Sequence, residues 1–385
     1  MALRDVLRRF QRALPQPFVP GNRVSMLVDG AAFFRGLEEA IAEAKRTVFV
    51  ETYIIRADKN GWRVAHVLAA KAREGVEVAL AYDGYGSLGL DPQLISELKA
   101  AGVKVLEFRP ISVWRGIWPW RKRNHRKSII VDTRIAIVGG QNLCDDYAAV
   151  EDGGKGWHDV SVRVEGPAVV QVEAMFRRMW AGQRGVELAT SSQTPASYPE
   201  GHQVRFLGNF GRRERAFIRR SYILAILGAE KYIRICNAYF VPDRVLTRAL
   251  IRAARRGVRV EIIIGAATDV RAVLLMSRGL YSRLLFNGIK VYEWHDRILH
   301  AKTAVIDGEW ATIGSSNLDN LSSFRNLEVN ATILGERVGG ALDDQFEIDR
   351  ARSNAILPEL WAKRPWVQRV IEWFFGHFRG LFSGN

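Results

Sequence analysis

The chain has 385 residues, 48% of them hydrophobic and 25% charged, so we expect a packed, enzyme-sized body with room for two domains. Its 56 lysines and arginines outnumber 41 aspartates and glutamates. The resulting charge of +15 favours a polyanionic partner, either nucleic acid or an anionic membrane surface. The alternative is a soluble protein that is basic without such a partner. Cys144 and Cys236 match no metal-ligand spacing, so neither a disulfide framework nor a zinc site is predicted.

The first predicted element is a basic amphipathic helix over residues 1–14. Arginines occupy one side of its wheel, and apolar residues recur at helical spacing on the other: Leu3, Val6, Leu7, Phe10 and Leu14. Such a helix can lie in a membrane interface or pack on the protein body, and both interpretations stay open. It lacks a signal-peptide pattern and no stretch is apolar enough to span a bilayer, so we expect a cytoplasmic location.

Three stretches of the first half recur in the same order in the second half. The matched pairs are 48–55 with 233–240, 70–84 with 252–266, and 100–108 with 286–294. Each set predicts strand, helix, strand, helix and strand, which favours a duplicated α/β protein with helices flanking a mixed sheet in each half. The predicted domains cover 15–185 and 204–357, and the polar, Ser/Thr/Pro-rich residues 186–203 form a linker.

An insertion over residues 109–124 distinguishes the first half, because the second half has only residues 295–299 at that place. The insertion mixes basic residues with tryptophans, including Trp114, Trp118, Trp120 and Arg121. Interleaved Trp and Arg suit lipid headgroups or stacked bases, whereas tryptophans that cap a domain interface would be purely structural. Its position just before His125 predicts an element that controls substrate or membrane access.

After this insertion, and again in the second half, the chain carries the same constellation of residues. Each copy reads His-x-Lys-x4-Asp on a β-branched strand, followed by a small-residue turn and an asparagine: His125, Lys127, Asp132, Gly139, Gly140 and Asn142, then His300, Lys302, Asp307, Gly314, Ser315 and Asn317. The spacing from histidine to asparagine is identical in both copies. Two matched half-sites inside a wider repeat predict one active site across a pseudo-twofold axis.

The last predicted element, residues 358–385, is an aromatic amphipathic segment. Basic residues alternate there with large rings: Trp366, Trp373, Phe374, Phe375, Phe378 and Phe382. Aromatic rings beside polar groups favour the headgroup region of a membrane, so we predict membrane association. Docking on the protein's own core is the alternative.

Phosphate chemistry follows from the paired motif. Residues two apart on a strand face the same side, so each histidine shares a pocket with its lysine. The ammonium groups of Lys127 and Lys302 can neutralise a phosphate and its pentacoordinate transition state, and no metal-ligand set is evident. The amides of Asn142 and Asn317 can bind the same phosphate oxygens.

A covalent mechanism needs different protonation states for the two imidazoles. One neutral histidine attacks phosphorus and the other, protonated, releases the departing alkoxide, which predicts a phospho-histidine intermediate. Asp159 and Glu328 stand at corresponding strand starts, and we expect each to orient a histidine, with an exposed salt bridge as the alternative. Asp132 and Asp307 have the opposite strand parity, which predicts structural anchors rather than proton-transfer groups.

These motifs resemble those of the phospholipase D superfamily over nearly the whole chain. Within it the chain is similar to the bacterial cardiolipin synthases that lack N-terminal transmembrane helices, through stretches such as HRKSIIVD, IVGGQN, LHAKTAVID and IGSSNLD. The resemblance implies a bilobed fold with the active site in the interdomain cleft and no cofactor. It also implies a catalytic set formed by His125, His300, Lys127, Lys302, Asp132 and Asp307. Members of the superfamily differ in which histidine attacks, so either can be the nucleophile, and we prefer His125.

The implied reaction joins two phosphatidylglycerol molecules into cardiolipin and glycerol through a phosphatidyl-histidine. The implied partners are anionic phospholipids at the cytoplasmic face of the bacterial inner membrane, without nucleic acid. A phosphodiesterase or nuclease of the same superfamily is the chief alternative, because the charge and the insertion would also suit DNA. A non-catalytic membrane-binding module would not need the intact motifs.

Overall fold

A computed structural model describes residues 14–111, 122–183, 186–189, 195–209, 216–268 and 270–378. The predicted helix over 1–14 therefore lies outside the described residues except for Leu14. The four predicted access residues, Trp114, Trp118, Trp120 and Arg121, also lie outside them. Their roles stay predictions.

The first half alternates strands and helices as the sequence predicts. Its elements are β1 (Val19–Val28), α1 (Asp29–Ala42), β2 (Thr47–Thr52), α2 (Lys59–Arg73), β3 (Glu77–Asp83), α3 (Pro92–Ala100), β4 (Lys104–Phe108), β5 (Ser128–Val131), β6 (Ile135–Gly139), β7 (Val160–Glu165) and α4 (Val169–Gly182). Asp58 and Asp91 cap α2 and α3 by accepting backbone N–H bonds, so local sequence fixes where these helices begin.

The second half repeats this order, with an additional short helix before β14 and further elements at its end. They are β8 (His202–Gly208), α5 (Phe217–Gly228), β9 (Tyr232–Asn237), α6 (Arg244–Arg255), β10 (Arg259–Gly265), α7 (Arg271–Phe286), β11 (Lys290–Trp294), β12 (Lys302–Ile306), β13 (Trp310–Gly314), α8 (Asn320–Phe324), β14 (Val329–Leu334), α9 (Glu336–Ala351), β15 (Ser353–Ala355), α10 (Pro358–Ala362) and α11 (Trp366–Phe378). The predicted duplicated α/β fold is confirmed, while the exact domain boundaries stay predictions.

The strands of the described residues join one mixed sheet in the order β15-β11-β10-β9-β12-β13-β14-β8-β1-β7-β6-β5-β2-β3-β4. The order reads outward in the same way from the central β1–β8 pair, which places a pseudo-twofold axis there. Strands β2, β3 and β4 are parallel, as are β9, β10 and β11, and the motif strands pair antiparallel with their neighbours. The sheet therefore has a parallel wing on each side of an antiparallel centre, and β15 adds an antiparallel strand beyond β11.

The core has three apolar clusters on the two faces of this sheet. Alternate β2 residues show the division: Val48 and Val50 pack in the cluster that also holds residues of α1, α2 and α3, whereas Phe49 faces the other side. The cluster around Phe49 draws residues from both halves, including Phe176 and Phe346. The halves thus share one hydrophobic layer that holds the motif strands in a fixed relation.

Among the described helices, none has the length and apolar character that a bilayer span requires.

Candidate active site

Backbone hydrogen bonds connect each motif histidine to the opposite half. The N–H of His125 donates to the carbonyl of Leu327 at 2.9 Å, and the N–H of His300 donates to the carbonyl of His158 at 2.7 Å. Each contact belongs to a short parallel bridge, Asn124 with Leu327 and His158 with Leu299. Beside each motif histidine, the backbone therefore hydrogen-bonds to a strand segment of the opposite half.

This exchange supplies each imidazole with a buried carboxylate from the other half. Both carboxylate oxygens of Glu328 lie 3.0 Å from Nδ1 of His125, and Oδ2 of Asp159 lies 2.7 Å from Nδ1 of His300. Both acidic side chains are fully buried. The structure thus brings together the four residues that the sequence grouped, and the two carboxylates form buried pairs rather than exposed salt bridges.

The small residues of the two turns make room for these carboxylates. A Cβ on Gly140 would lie 2.3 Å from Oδ2 of Asp159, so only glycine leaves that carboxylate in place. Ser315 occupies the corresponding position in the second motif, and its hydroxyl donates to Oε2 of Glu328. The Gly-Gly and Gly-Ser turns therefore hold the carboxylates that support the histidines.

Both motif lysines are buried beside their histidines. Nζ of Lys127 donates to the His125 carbonyl at 2.8 Å and lies 5.2 Å from the centre of the Tyr53 ring. Nζ of Lys302 donates to the His300 carbonyl and lies 3.0 Å from its Nδ1. Burial lowers the pKa of Lys127 well below its usual range, against the opposing charge of Glu328. An anion in this pocket would favour the charged ammonium forms.

The two motif asparagines occupy different environments. Oδ1 of Asn142 accepts the Ile54 N–H at 3.0 Å, and its Nδ2 donates to the Tyr147 hydroxyl at 2.8 Å. Oδ1 of Asn317 is buried and has no hydrogen-bond partner in the part of the chain that the structure describes. The bond to Tyr147 uses one of the two Nδ2–H donors of Asn142, so a direct phosphate contact would have to use the other, whereas the Asn317 side chain is less constrained.

The motif aspartates stand at the far ends of β5 and β12. The Asp132 carboxylate accepts backbone N–H bonds from residues 45, 46 and 47, each at 2.8 Å. Asp307 accepts the corresponding bonds from residues 230, 231 and 232 at 2.8–2.9 Å. These bonds fix the starts of β2 and β9, so each aspartate anchors the backbone of a neighbouring strand. Asp132 and Asp307 would therefore contribute to catalysis only by holding the strands that carry the motifs in position.

Burial lowers the pKa of both motif histidines. Burial lowers the pKa of His125, and the Glu328 carboxylate opposes this only in part. Burial and the charges of Lys302 and Lys127 lower the pKa of His300 well below its usual value. Burial raises the pKa of Asp159 to about 7, against the charge of Lys302. Because Asp159 and His300 share a hydrogen bond, the proton taken up near neutral pH belongs to the pair.

Three aromatic residues line the histidines and were not identified from the sequence. The Tyr53 ring centre lies 4.9 Å from that of His125, while Tyr147 and Trp157 lie 5.1 and 5.9 Å from His300. Tyr147 follows Asn142 by five positions, and Trp157 precedes Asp159 by two. Their closeness to motif residues in the chain is the signal that could have pointed to them.

A further histidine, His158, links the two halves beside the site. Its Nδ1 lies 2.7 Å from Oδ1 of Asp29 and its Nε2 lies 3.1 Å from Oδ2 of Asp349. Its ring stacks on Trp294, and Arg297 pairs with the second oxygen of Asp29 at 2.6 Å. Burial alone would lower the pKa of His158, but the two carboxylates outweigh it and raise the pKa to about 9. This imidazolium ties β7 to α9.

We predict that this link makes stability fall in alkaline solution. The pKa of His158 is about 9 in the folded protein and about 6.5 in the unfolded chain. Its protonation therefore stabilises the fold fully below about pH 6.5, and this stabilisation is lost as the pH rises through 9. The melting temperature of the unchanged protein should fall by several degrees between pH 7 and 9.5 in scanning calorimetry. His158→Gln should melt lower at pH 7 and show a flatter decline. Parallel curves for the two proteins would contradict this role.

Within the described ranges, no group of three or more His, Cys, Asp or Glu side chains could hold a metal ion.

Comparisons with known proteins agree with this arrangement. The family model described as "Cardiolipin synthase, PLD-like domain" matches residues 37–180 and 222–350, which is more than half of the chain. The cardiolipin synthase of Halalkalibacterium halodurans is 32% identical over 370 residues, covering 95% of this chain and 74% of that protein. Cardiolipin synthase B of Escherichia coli K12 is 33% identical over 377 residues, covering 94% and 89%.

Among solved structures, the phosphatidylserine synthase of Haemophilus influenzae Rd KW20 superposes with a TM-score of 0.68. The match covers 99% of this chain and 98% of that one at 14% sequence identity. At this identity the likeness concerns the fold alone.

Proposed function

This chain belongs to the cardiolipin synthase family with PLD-like domains, and we propose that it transfers a phosphatidyl group from one phosphatidylglycerol to another, releasing glycerol. The observation that carries the proposal is the pair of imidazoles, each held through Nδ1 by a buried carboxylate from the opposite half. That arrangement leaves both Nε2 atoms as the reactive positions. Phosphatidyl transfer needs one of them as nucleophile and the other as proton carrier.

His125 is the proposed nucleophile. With its Nδ1–H donated to Glu328, a neutral imidazole keeps its lone pair on Nε2, and its lowered pKa favours that neutral form. Nε2 attacks the donor phosphorus, the bond to the glycerol oxygen breaks, and a phosphatidyl-histidine forms. Lys127 and Lys302 balance the negative charge of the pentacoordinate transition state from a buried site, where electrostatic stabilisation is strong.

The Asp159–His300 pair is the proposed acid and base. Burial raises the pKa of Asp159 to about 7, so the hydrogen-bonded pair can give a proton to the departing glycerol oxygen and then take one from the incoming hydroxyl at neutral pH. The incoming oxygen displaces Nε2 of His125 and restores the neutral imidazole. One phosphodiester replaces another, so no nucleotide cofactor is required.

Competition between lipid and water decides the product. If water replaces the hydroxyl of the second phosphatidylglycerol, the same intermediate yields phosphatidic acid. The two histidine side chains are only 13% and 8% exposed, which limits solvent access to the reacting atoms. Partial exclusion of water supports transfer over hydrolysis.

Membrane binding through α11 is the second part of the proposal. One side of α11 packs on α7, where Gly279 and Gly376 approach closely and Glu372 is buried against Arg364. The other side exposes large apolar residues: Trp366, Val367, Val370, Ile371, Trp373 and Phe374. The helix thus docks on the core and still offers an apolar face. This face supports peripheral attachment at the cytoplasmic surface of the inner membrane.

We predict that removing the two exposed tryptophans weakens vesicle binding. Trp366 and Trp373 are 73% and 62% exposed, and burying each in the interface should contribute about 1.5 kcal/mol or more. Trp366→Ser with Trp373→Ser should raise the Kd for phosphatidylglycerol vesicles at least about tenfold in co-sedimentation. Leu88→Ser is the control, because Leu88 is 71% exposed in the first half. Equal binding of both variants would contradict the proposed attachment.

A vesicle assay tests the proposed reaction directly. Purified protein with phosphatidylglycerol vesicles and a chelator should produce cardiolipin and glycerol in equal amounts by mass spectrometry. Phosphatidic acid as the only product would assign a hydrolase. Cleavage of added DNA without lipid turnover would assign a nuclease, and either result would overturn the proposed function.

A further inference from the structure

The reactive nitrogen of His300 faces a tyrosine hydroxyl. The hydroxyl of Tyr147 lies 3.3 Å from Nε2 of His300, on the side of the ring opposite Asp159. We infer that Tyr147 is a positioning residue that prepares His300 as the proton carrier and leaves His125 as the nucleophile. This inference rests on the proposed transfer reaction and adds a residue to it.

A directed chain of hydrogen bonds orients the tyrosine. The Ile54 N–H can only donate, so the amide atom of Asn142 that lies 3.0 Å from it is the oxygen. The Asn142 NH2 group then faces the Tyr147 oxygen at 2.8 Å and donates to it. The phenolic proton is thereby left to point at Nε2 of His300. The second motif asparagine has no such chain in the described residues.

The tyrosine stays a donor across the working pH range. Tyr147 is 1% exposed, and burial raises the pKa of its phenol well above the usual value. A donor at Nε2 stabilises the unprotonated nitrogen and opposes its protonation. Tyr147 should therefore lower the apparent pKa of the Asp159–His300 pair and hold Nε2 in line with the substrate oxygen between proton transfers.

The opposite motif has no matching group. Counting from the motif asparagine, Ser322 corresponds to Tyr147, but its N–H donates to Asp319 and its carbonyl accepts from Asn209. In the described part of the chain, no hydrogen bond reaches Nε2 of His125. Nε2 of His300 thus has a hydrogen-bond partner in the protein, whereas Nε2 of His125 has none among the described residues. This difference matches a proton carrier and a nucleophile.

Each step balances with these roles. In the first step the lone pair of His125 Nε2 forms a bond to phosphorus, the bond to the glycerol oxygen breaks, and the proton of His300 Nε2 moves to that oxygen. The Tyr147 hydroxyl then donates to the vacated nitrogen. In the second step the incoming hydroxyl gives its proton to His300 Nε2, its oxygen bonds phosphorus, and the P–N bond breaks.

Tyr147→Phe tests the inference because it keeps the ring against His300 and removes only the hydroxyl. The basic limb of kcat/KM for phosphatidylglycerol, which needs the protonated pair, should move up by about 0.5–1 pH unit. The acidic limb for decay of the phosphatidyl-enzyme, which needs the unprotonated pair, should move up by the same amount. The burst of nitrophenol from a phosphatidyl 4-nitrophenyl ester should be unchanged, because this leaving group needs no proton.

Two controls separate this role from packing and from the reaction itself. Tyr222→Phe removes another buried hydroxyl, on a ring that packs against Trp310, and should leave both limbs in place. Replacing Tyr147 with 3-fluorotyrosine keeps the fold and strengthens the donor, so both limbs should move down. Profiles of Tyr147→Phe and 3-fluorotyrosine that superimpose on the unchanged enzyme would overturn the inference. Absence of both burst and cardiolipin in the unchanged enzyme would instead overturn the proposed function.

Discussion

Replacing His125 with asparagine is expected to lower cardiolipin synthesis by about ten-thousandfold or more and to remove the phosphatidyl-enzyme altogether. The amide can occupy the space of the imidazole and accept no covalent bond to phosphorus. The Nδ1 contacts to Glu328 at 3.0 Å identify Nε2 as the attacking atom, and this atom is lost in the variant. A rapid-mixing assay with a phosphatidyl 4-nitrophenyl ester should then show no burst.

His300→Asn is the matched variant in the other half. It should also lose cardiolipin synthesis, because the glycerol oxygen is a poor leaving group when no acid supplies its proton. With the nitrophenyl ester it should still give a burst close to one equivalent, since that leaving group departs unprotonated. The reverse pattern, with a burst in His125→Asn and none in His300→Asn, would exchange the roles of the two histidines.

The second large loss of activity is expected when either supporting carboxylate is replaced. Each replacement should impair the histidine of the opposite half. Glu328→Gln keeps the shape of the side chain but weakens support for His125, which belongs to the first half. The burst rate should fall by about 10²–10⁴-fold, the range expected when the carboxylate that orients a catalytic imidazole is lost. Stopped-flow measurement of nitrophenol release gives this rate.

Asp159→Asn should affect the opposite histidine and a different step. Its carboxylate lies 2.7 Å from Nδ1 of His300, so the amide should remove the titration near pH 7 and slow decay of the intermediate while a burst remains. Glu165→Gln, at the other end of β7, is the control and should leave both steps unchanged. Equal loss of both steps in Glu328→Gln and Asp159→Asn would contradict separate support of the two histidines.

Local patterns predicted much of this site, because the features involved are short-range and occur twice. The His-x-Lys spacing predicted that each histidine shares a pocket with its lysine, and each lysine does bond the carbonyl of its histidine. The predicted strand position was wrong for His125, Lys127 and His300, which lie just before β5 and β12. The same repeat identified Asp159 and Glu328 by their corresponding positions. The strand parity of Asp132 and Asp307 indicated anchors, and their bonds to backbone amides have that character.

The pairing across the halves could not be predicted in the same way. Glu328 is 203 positions from His125 and Asp159 is 141 positions from His300, so neither contact follows from local periodicity. It arises because two short bridges exchange backbone partners between the halves beside the central strands. A repeat with each carboxylate serving its own half would have the same sequence pattern.

Tyr147 and His158 required the structure for a related reason. Tyr147 lies in a loop after β6, and only the packed fold brings its hydroxyl to a histidine 153 positions away. His158 is next to a carboxylate that the repeat identified, yet its partners Asp29 and Asp349 come from opposite ends of the chain. Buried polar contacts of this kind depend on which elements pack together.

The covalent intermediate provides the most direct test of the account. The phosphatidyl 4-nitrophenyl ester is mixed with the enzyme, the reaction is quenched with denaturant at mildly alkaline pH, which preserves both the P–N bond and the acyl esters, and the digested peptides are analysed by mass spectrometry. We predict a phosphatidyl adduct on the peptide that contains His125 and none on the peptide that contains His300. An adduct on His300, or a full burst without any adduct, would contradict the account.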